Sequence, residues 1–312
     1  MLTFFTTGKP FRGHDGIIQR NALKSWKLLH PDIEVILFGG EEGAAEVCKE
    51  LGLIHEPNIE RHECRKPRLD SMFARAQAIA KHEYLCYSNC DILLTEDFRE
   101  GFERAIAWRE RFLMVSRRWD MEVTQLIDFR QPDWGLTLRQ LALTQGCQQD
   151  ENWIDFFVFR KGMYAEMPPL IVGHCYWDHW MIWKALSDRV AVLDGSPFLT
   201  PVHQNHGYDQ KFGRSKGSPS DALSLVNLAA IGGEKHLRKM DAATHRITQS
   251  GRIRRILLRY RFTLRQRWAY LMEILTYRVR LPVWHALLGV TRPLRRILGL
   301  RTENLRRLRE KL

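Results

Sequence analysis

The chain lacks most of the signatures that would place it quickly. No run of about 18 apolar residues occurs, so no membrane-crossing helix is expected. Met1-Leu2-Thr3-Phe4-Phe5 has no basic segment leading into a 7–15-residue apolar run, so no secretory signal is expected and the expected compartment is the cytoplasm. The six cysteines, at 48, 64, 86, 90, 147 and 175, form no Cys-x-x-Cys pair. Reduced, mostly buried thiols are expected rather than disulfides or a zinc site. The Gly-x-x-x-x-Gly-Lys-Ser/Thr phosphate loop, the Gly-x-Ser-x-Gly elbow and the Gly-x-Gly-x-x-Gly turn are all missing. Phosphate-loop NTPases, serine hydrolases and nicotinamide enzymes are thereby set aside. There is no internal repeat.

Acidic residues are scarce in one part of the chain only. The 312 residues carry 48 Lys plus Arg against 36 Asp plus Glu, a formal +12. Residues 251–312 hold 16 Arg and one Lys against Glu273, Glu303 and Glu310, which is +14. The first 250 residues therefore carry 31 basic and 33 acidic groups, a net −2, and show no surplus that a polyanion would require. In the tail, Ile253, Leu257, Tyr260, Leu264, Trp268, Leu271 and Leu275 recur every three or four residues. That spacing predicts an amphipathic helix, interrupted at Pro282 and Pro293. An Arg-rich helix of this kind suits an anionic membrane surface. Packing on the globule or in a homo-oligomer is the first rival, and a nucleic-acid arm is the weakest reading.

Strands and helices alternate through the first 200 residues. Leu2–Thr6 predicts a first strand ending at Gly8-Lys9-Pro10, Ile17–Leu29 a helix, and Glu34–Phe38 a strand closed by Gly39-Gly40. Glu41–Leu51 and Asp70–Lys81 predict further helices, and Ile54-His55 and Tyr84–Ser88 further strands. Phe112–Ser116, Phe156–Phe159 and Val190–Leu193 complete the strands, and Trp177–Leu186 predicts a late helix. Residues 120–150 are polar and mixed, as in a lid or an acceptor-side insertion, and 207–220 are expected to form a mobile loop. The fold class expected is α/β with a mostly parallel sheet flanked by helices.

Four segments carry chemistry. Asn89-Cys90-Asp91 follows the apolar strand 84–88, and spacing i, i+2 predicts both polar groups on one side of its carboxyl end, where open α/β sheets bind ligands. A carboxylate there can hold a divalent cation facing a diphosphate. Gly173-His174-Cys175-Tyr176-Trp177-Asp178-His179-Trp180 sets a carboxylate at a helix start between two Trp residues. Partial desolvation would raise its pKa toward a general base, and the rings offer faces to a sugar. Pro201-Val202-His203-Gln204-Asn205-His206 puts two imidazoles at a strand exit. Arg65-Lys66-Pro67-Arg68-Leu69-Asp70 opens a helix, a place suited to phosphate. Asp155 and Arg117-Arg118-Trp119-Asp120 also lie at strand ends.

The N-terminal Phe4-Phe5-Thr6-Thr7 strand, the half-sheet and Asn89-Cys90-Asp91 together resemble a GT-A glycosyltransferase. Asn89 stands where that family's Asp-x-Asp motif has its first acid. The blocks Trp153–Phe159, Trp177–Ile182 and Val202–His206 are similar to a bacterial branch of glycosyltransferase-like proteins from polysaccharide loci, over residues 1–250. The resemblance implies a nucleotide-sugar donor, a glycan or lipid-linked acceptor, and Mn²⁺ or Mg²⁺ on Asp91 with His206 or His203. It implies Asp178 as the base, and donor contacts from Thr6, Thr7, Arg12, Lys66, Arg68, Asp70 and Asn89. Asp155, Trp177 and Trp180 are expected on the acceptor side. The domains expected are 1–250, GT-A-like and catalytic, and 251–312, a basic helical tail at the inner face of the cell membrane. The alternatives are a nucleotidyltransferase on a related sheet and a non-catalytic glycan- or nucleic-acid-binding module.

Overall fold

The computed structural model describes residues 1–206, 219 and 221–256, so the expected loop over 207–220, apart from Pro219, and the helical stripe from Leu257 onward lie outside the described residues. The chain begins with β1 (Thr3–Thr7), α1 (Gly13–Leu28), β2 (Glu34–Phe38), α2 (Ala44–Leu51) and β3 (Ile54–Glu56). Then follow α3 (Leu69–Ile79), β4 (Tyr84–Ser88), β5 (Ile92–Leu93), α4 (Glu96–Trp108), β6 (Phe112–Val115) and β7 (Trp119–Met121). After them come α5 (Trp134–Gln145), β8 (Cys147–Gln148), β9 (Phe156–Arg160), α6 (Trp177–Ser187), β10 (Ala191–Asp194) and β11 (Val202–Gln204). The described chain ends with α7 (Ala222–Ala230), β12 (His245–Ile247) and β13 (Ile253–Arg255).

Nine strands form the main sheet in the order β13-β12-β10-β6-β9-β4-β1-β2-β3. The pairs β3–β2, β2–β1, β1–β4, β6–β10 and β10–β12 are parallel, while β9 runs antiparallel between β4 and β6. The expected mostly parallel α/β sheet is therefore observed. Strand order reverses at β1, whose neighbours are β2 and β4, and such a reversal opens a crevice at the carboxyl ends of the strands.

Both faces of the sheet are buried, which is why β1 and β4 are apolar at successive positions instead of alternating. Phe4, Cys86 and Val158 join α1, α2 and α4 on one face; Phe5, Tyr87 and Phe159 join α3 and α6 on the other. Trp26 is fully buried on α1 and its indole N–H donates to the Ile92 carbonyl at 2.7 Å, which ties that helix to β5. A second small sheet, β5-β11-β7-β8, packs β11 antiparallel to β5 and parallel to β7.

Residues 120–150, expected as a lid or acceptor-side insertion, hold the end of β7 together with α5 and β8. One expectation changes. Ile253, expected on the tail helix, lies instead in β13, paired antiparallel with β12 so that it faces Ile247. The turn between them needs Gly251 at φ +74°, where a Cβ would meet the Arg104 guanidinium at 2.7 Å. The compact unit accordingly runs Met1–Leu257. Among the described residues no helix is long and apolar enough to cross a membrane.

Candidate metal and catalytic site

The carboxyl edge of the sheet gathers four segments. Between β4 and β5, Asn89-Cys90-Asp91 forms a tight turn, closed by the Ile92 N–H on the Asn89 carbonyl at 3.3 Å. This corrects the expectation that Asn89 and Asp91 point the same way from one strand. The turn sends them to different partners. Asn89 Nδ2 donates to Asp155 Oδ1 at 2.6 Å and its backbone N–H to the Asp155 carbonyl at 2.9 Å. Asp91 Oδ2 lies 3.1 Å from His206 Nε2 and 3.7 Å from His203 Nε2.

Asp91, His203 and His206 bring one ligand atom each to within 4.8 Å of one another. Two donors about 2.1 Å from a shared ion lie roughly 3–4 Å apart, as Asp91 Oδ2 does from His206 Nε2, 3.1 Å, and from His203 Nε2, 3.7 Å, so these two spacings suit a single divalent cation. Asp91 Oδ1 is buried and has no hydrogen-bond partner among the described residues, so the carboxylate that faces both imidazoles keeps an oxygen without a donor. The donor set and this orphaned oxygen fit a metal. Both histidines named from the sequence belong to the cluster.

Burial works to raise the Asp91 carboxyl, but the His206 contact and the positive charge of His203, His206 and Arg118 outweigh it and hold the group at about 2. Asp120, from β7, lies 3.1 Å from His203 Nδ1. Burial pushes Asp120 up, yet His203 and Arg118 beside it bring it below its ordinary value. For His203, burial disfavours the charged ring, and Asp120 and Asp91 more than reverse this, so its pKa is raised.

Asp178 begins α6, the helix before β10, and so sits at the same edge of the sheet. Its Oδ1 accepts the His179 backbone N–H at 2.9 Å. Burial is the main force raising its pKa; His179 opposes this and Asp155 adds to it. The residue just before the helix, Tyr176, adopts φ +86°, a strained backbone for a side chain with a Cβ, and such strain concentrates at functional positions.

The remaining expected residues fall in two groups. Thr6 is buried with its hydroxyl on the Thr7 carbonyl, while Thr7 ends β1 level with Asn89, because Phe5 pairs with Tyr87. Arg12 is exposed and pairs with Glu42 at 3.3 Å; Arg68 pairs with Glu60 at 2.9 Å and with Asp70 in its own segment; Lys66 is exposed. Arg12, Lys66 and Arg68 lie before α1 and α3 and Asp70 in the first turn of α3, helices whose starts face the carboxyl edge, but none of the four joins the Asp91 cluster. Trp177 and Trp180 are core residues, 6% and 3% exposed. Trp177 packs on Tyr87 and Phe157, and Trp180 on Tyr164, so neither ring offers a face to a sugar, contrary to expectation.

What sequence reasoning did not find is the open pocket of about 420 Å³ beside His206, lined by His14, Glu122, Thr124 and Asn205. His14 comes from α1, and its Nε2 lies 2.9 Å from the Asn205 carbonyl. No local pattern marks these residues, because they meet only after α1 and β11 have docked.

No family model matches the chain, and no curated protein matches it. It is similar to solved structures of glucosyl-3-phosphoglycerate synthase from Mycobacterium tuberculosis. For that protein in complex with Mg²⁺ and uridine diphosphate the identity is 12%, over 75% of this chain and 80% of that chain, with a TM-score of 0.46. For its complex with Mn²⁺, uridine diphosphate and glucosyl-3-phosphoglycerate the figures are 12%, 75%, 81% and 0.46. For its complex with Mn²⁺, uridine-diphosphate-glucose and phosphoglyceric acid they are 13%, 75%, 80% and 0.45.

Proposed function

We propose that the chain is a metal-assisted glycosyltransferase of the GT-A kind, moving a sugar from a nucleotide-diphosphate donor to a hydroxyl of a glycan or lipid-linked glycan. One observation carries this reading: the Asp91, His203 and His206 cluster, with Asp91 Oδ1 unpartnered among the described residues, at the carboxyl edge of an α/β sheet that reverses order there. Asp91, His203 and His206 would hold a Mn²⁺ or Mg²⁺ ion. When bound, such an ion supplies positive charge against a leaving diphosphate. The chain's own residues do the rest. Asp178, with its raised pKa and its place at the start of α6, accepts the proton of the attacking hydroxyl. The pocket residues His14 and Glu122 offer polar groups to the acceptor, while Asp155, buried with its oxygens on Asn89 and Arg118, supports the turn that carries Asp91. The residues after 256, with 13 Arg and Lys311 against three Glu, hold the enzyme at an anionic membrane surface, where lipid-linked acceptors reside.

Thermal unfolding with a panel of nucleoside diphosphates and nucleotide sugars, with and without Mn²⁺, tests the donor site. A ligand at about 100 times its Kd adds about 2.7 kcal/mol of stability, a readily measured shift. At least one nucleoside diphosphate should stabilise the protein only when Mn²⁺ is present, and Asp91→Asn should abolish that shift. No stabilisation by any nucleoside diphosphate would overturn the reading.

A further inference from the structure

Asp91, His203 and His206 do not stand alone. Behind them lies Arg118, a guanidinium only 6% exposed, in the stretch joining β6 to β7. A buried arginine needs carboxylates, and Arg118 has two from different segments. Its Nε lies 2.7 Å from Asp120 Oδ1, and its Nη1 donates to Asp155 Oδ2 at 3.1 Å. The Trp153 ring covers the guanidinium at 4.5 Å.

Each carboxylate leads to a different part of the metal cluster. Asp120 Oδ2 accepts from Gln149 Nε2 at 2.8 Å, and Oδ1 lies at ion-pair distance from both Arg118 Nε, 2.7 Å, and His203 Nδ1, 3.1 Å, without the angles of a hydrogen bond between them. A carboxylate beside Nδ1 favours the proton on that nitrogen, so that Nε2, the nitrogen nearer Asp91, is the one that would give its lone pair to a bound ion. The backbone supports this arrangement, since β11 lies between β5 and β7 with His203 paired to Asp120 on one side and to Ile92 on the other. Along the second arm, Asp155 holds Asn89 through both side chain and backbone, and Asn89 opens the turn that carries Asp91.

We infer that Arg118 and Asp120 are positioning residues for the metal centre: Asp120 orients His203 as its second imidazole ligand, and Arg118 locks Asp120 and Asp155 so that both arms keep their geometry. The inference rests on the metal reading above and adds to it an outer shell from β7 and the segment before β9. Charge alone predicts the opposite behaviour. Arg118 is a cation near a cation site, so a purely electrostatic role makes its loss favour metal binding. Positioning makes its loss weaken binding. The sign separates the two.

The test is Mn²⁺ affinity of the full-length chain, measured from free Mn²⁺ by electron paramagnetic resonance and by calorimetry, together with the metal-free melting temperature. Arg118→Lys keeps the charge but not the planar two-pronged geometry. It should weaken Mn²⁺ binding about 10- to 100-fold, the usual cost of losing an outer-shell partner. Arg118→Gln should weaken it as well, where charge alone would tighten it. Asp120→Asn, which keeps the shape, should show a similar loss and decides the matter if the Arg118 variants do not fold. His206→Ala is the control that removes a ligand. If His206→Ala abolishes binding while Arg118→Lys and Asp120→Asn stay within two-fold of the native chain, the outer-shell inference is overturned and the metal reading survives. If the native chain binds no Mn²⁺, the metal reading itself has failed and the inference falls with it.

Discussion

Asp91 and Asp178 are the same side chain in similar partial burial, and their neighbours drive them in opposite directions. Two imidazoles and Arg118 stabilise the Asp91 carboxylate, whereas Asp178 has burial and the nearby Asp155 against it, opposed by His179. The second environment has a consequence for stability. A carboxyl whose pKa is raised on folding contributes fully when both states are protonated, below the unfolded value near 4, and that contribution is lost as the pH rises through the folded pKa. At neutral pH the Asp178 charge therefore costs stability. Asp178→Asn, which resembles the protonated form and keeps an oxygen for the His179 N–H, should raise the melting temperature at pH 7. The gain should shrink to nothing by about pH 3.5. The same variant should lose transferase activity, because an amide cannot take the acceptor proton. Melting curves of both proteins from pH 3.5 to 8 provide the check, and a variant less stable than the native chain at pH 7 would contradict the argument.

At the scale of elements, the site stands on a rigid support of interlocked aromatics. Phe73 of α3 stacks on Phe159 of β9 at 5.5 Å and meets Phe5 edge-on at 4.8 Å, with Tyr87 and Tyr164 around it. All five rings are 1% exposed or less. Phe73→Ala should cost about 3–5 kcal/mol, the usual range for emptying such a site. A chain of this size loses about 2–4 °C per kcal/mol, so a melting temperature lowered by less than about 5 °C would mean that the cluster relaxes around the void. These same elements were legible in the sequence. Glu34–Phe38 and Tyr84–Ser88 match their predicted limits because apolar side chains fill both faces of each strand between turn residues. Asp91, His203 and His206 were legible as polar residues at strand exits. Arg118 and Asp120 were visible only as a charged strand end, since nothing local shows that an arginine will be buried between acids 2 and 37 positions away. Trp177 and Trp180 misled for a related reason: a helix start rich in aromatics looks the same whether its rings meet a ligand or, as here, Tyr87, Phe157 and Tyr164.

On the scale of the whole molecule, charge and fold divide at nearly the same place, and the small difference matters. The Arg surplus begins at Arg252, but Ile253–Arg255 belong to β13 of the main sheet, with Ile253 packed against the core beside β12. A chain ending at 250 would lose that edge strand and leave Ile247 uncovered, so it would confuse loss of fold with loss of tail. A chain ending at 256 keeps the strand and removes the remaining 13 Arg and Lys311. Each basic residue near an anionic bilayer contributes on the order of 1 kcal/mol, a term that salt screens. The full chain should therefore sediment with vesicles rich in phosphatidylglycerol at 0.1 M salt, and be released at 0.5 M or from neutral phosphatidylcholine. The 1–256 chain should stay in the supernatant throughout, with its nucleotide-induced thermal shift unchanged. Equal sedimentation of the two chains would locate the membrane contact on the globule, and sedimentation of neither would remove the membrane from the proposal while leaving the transferase reading intact.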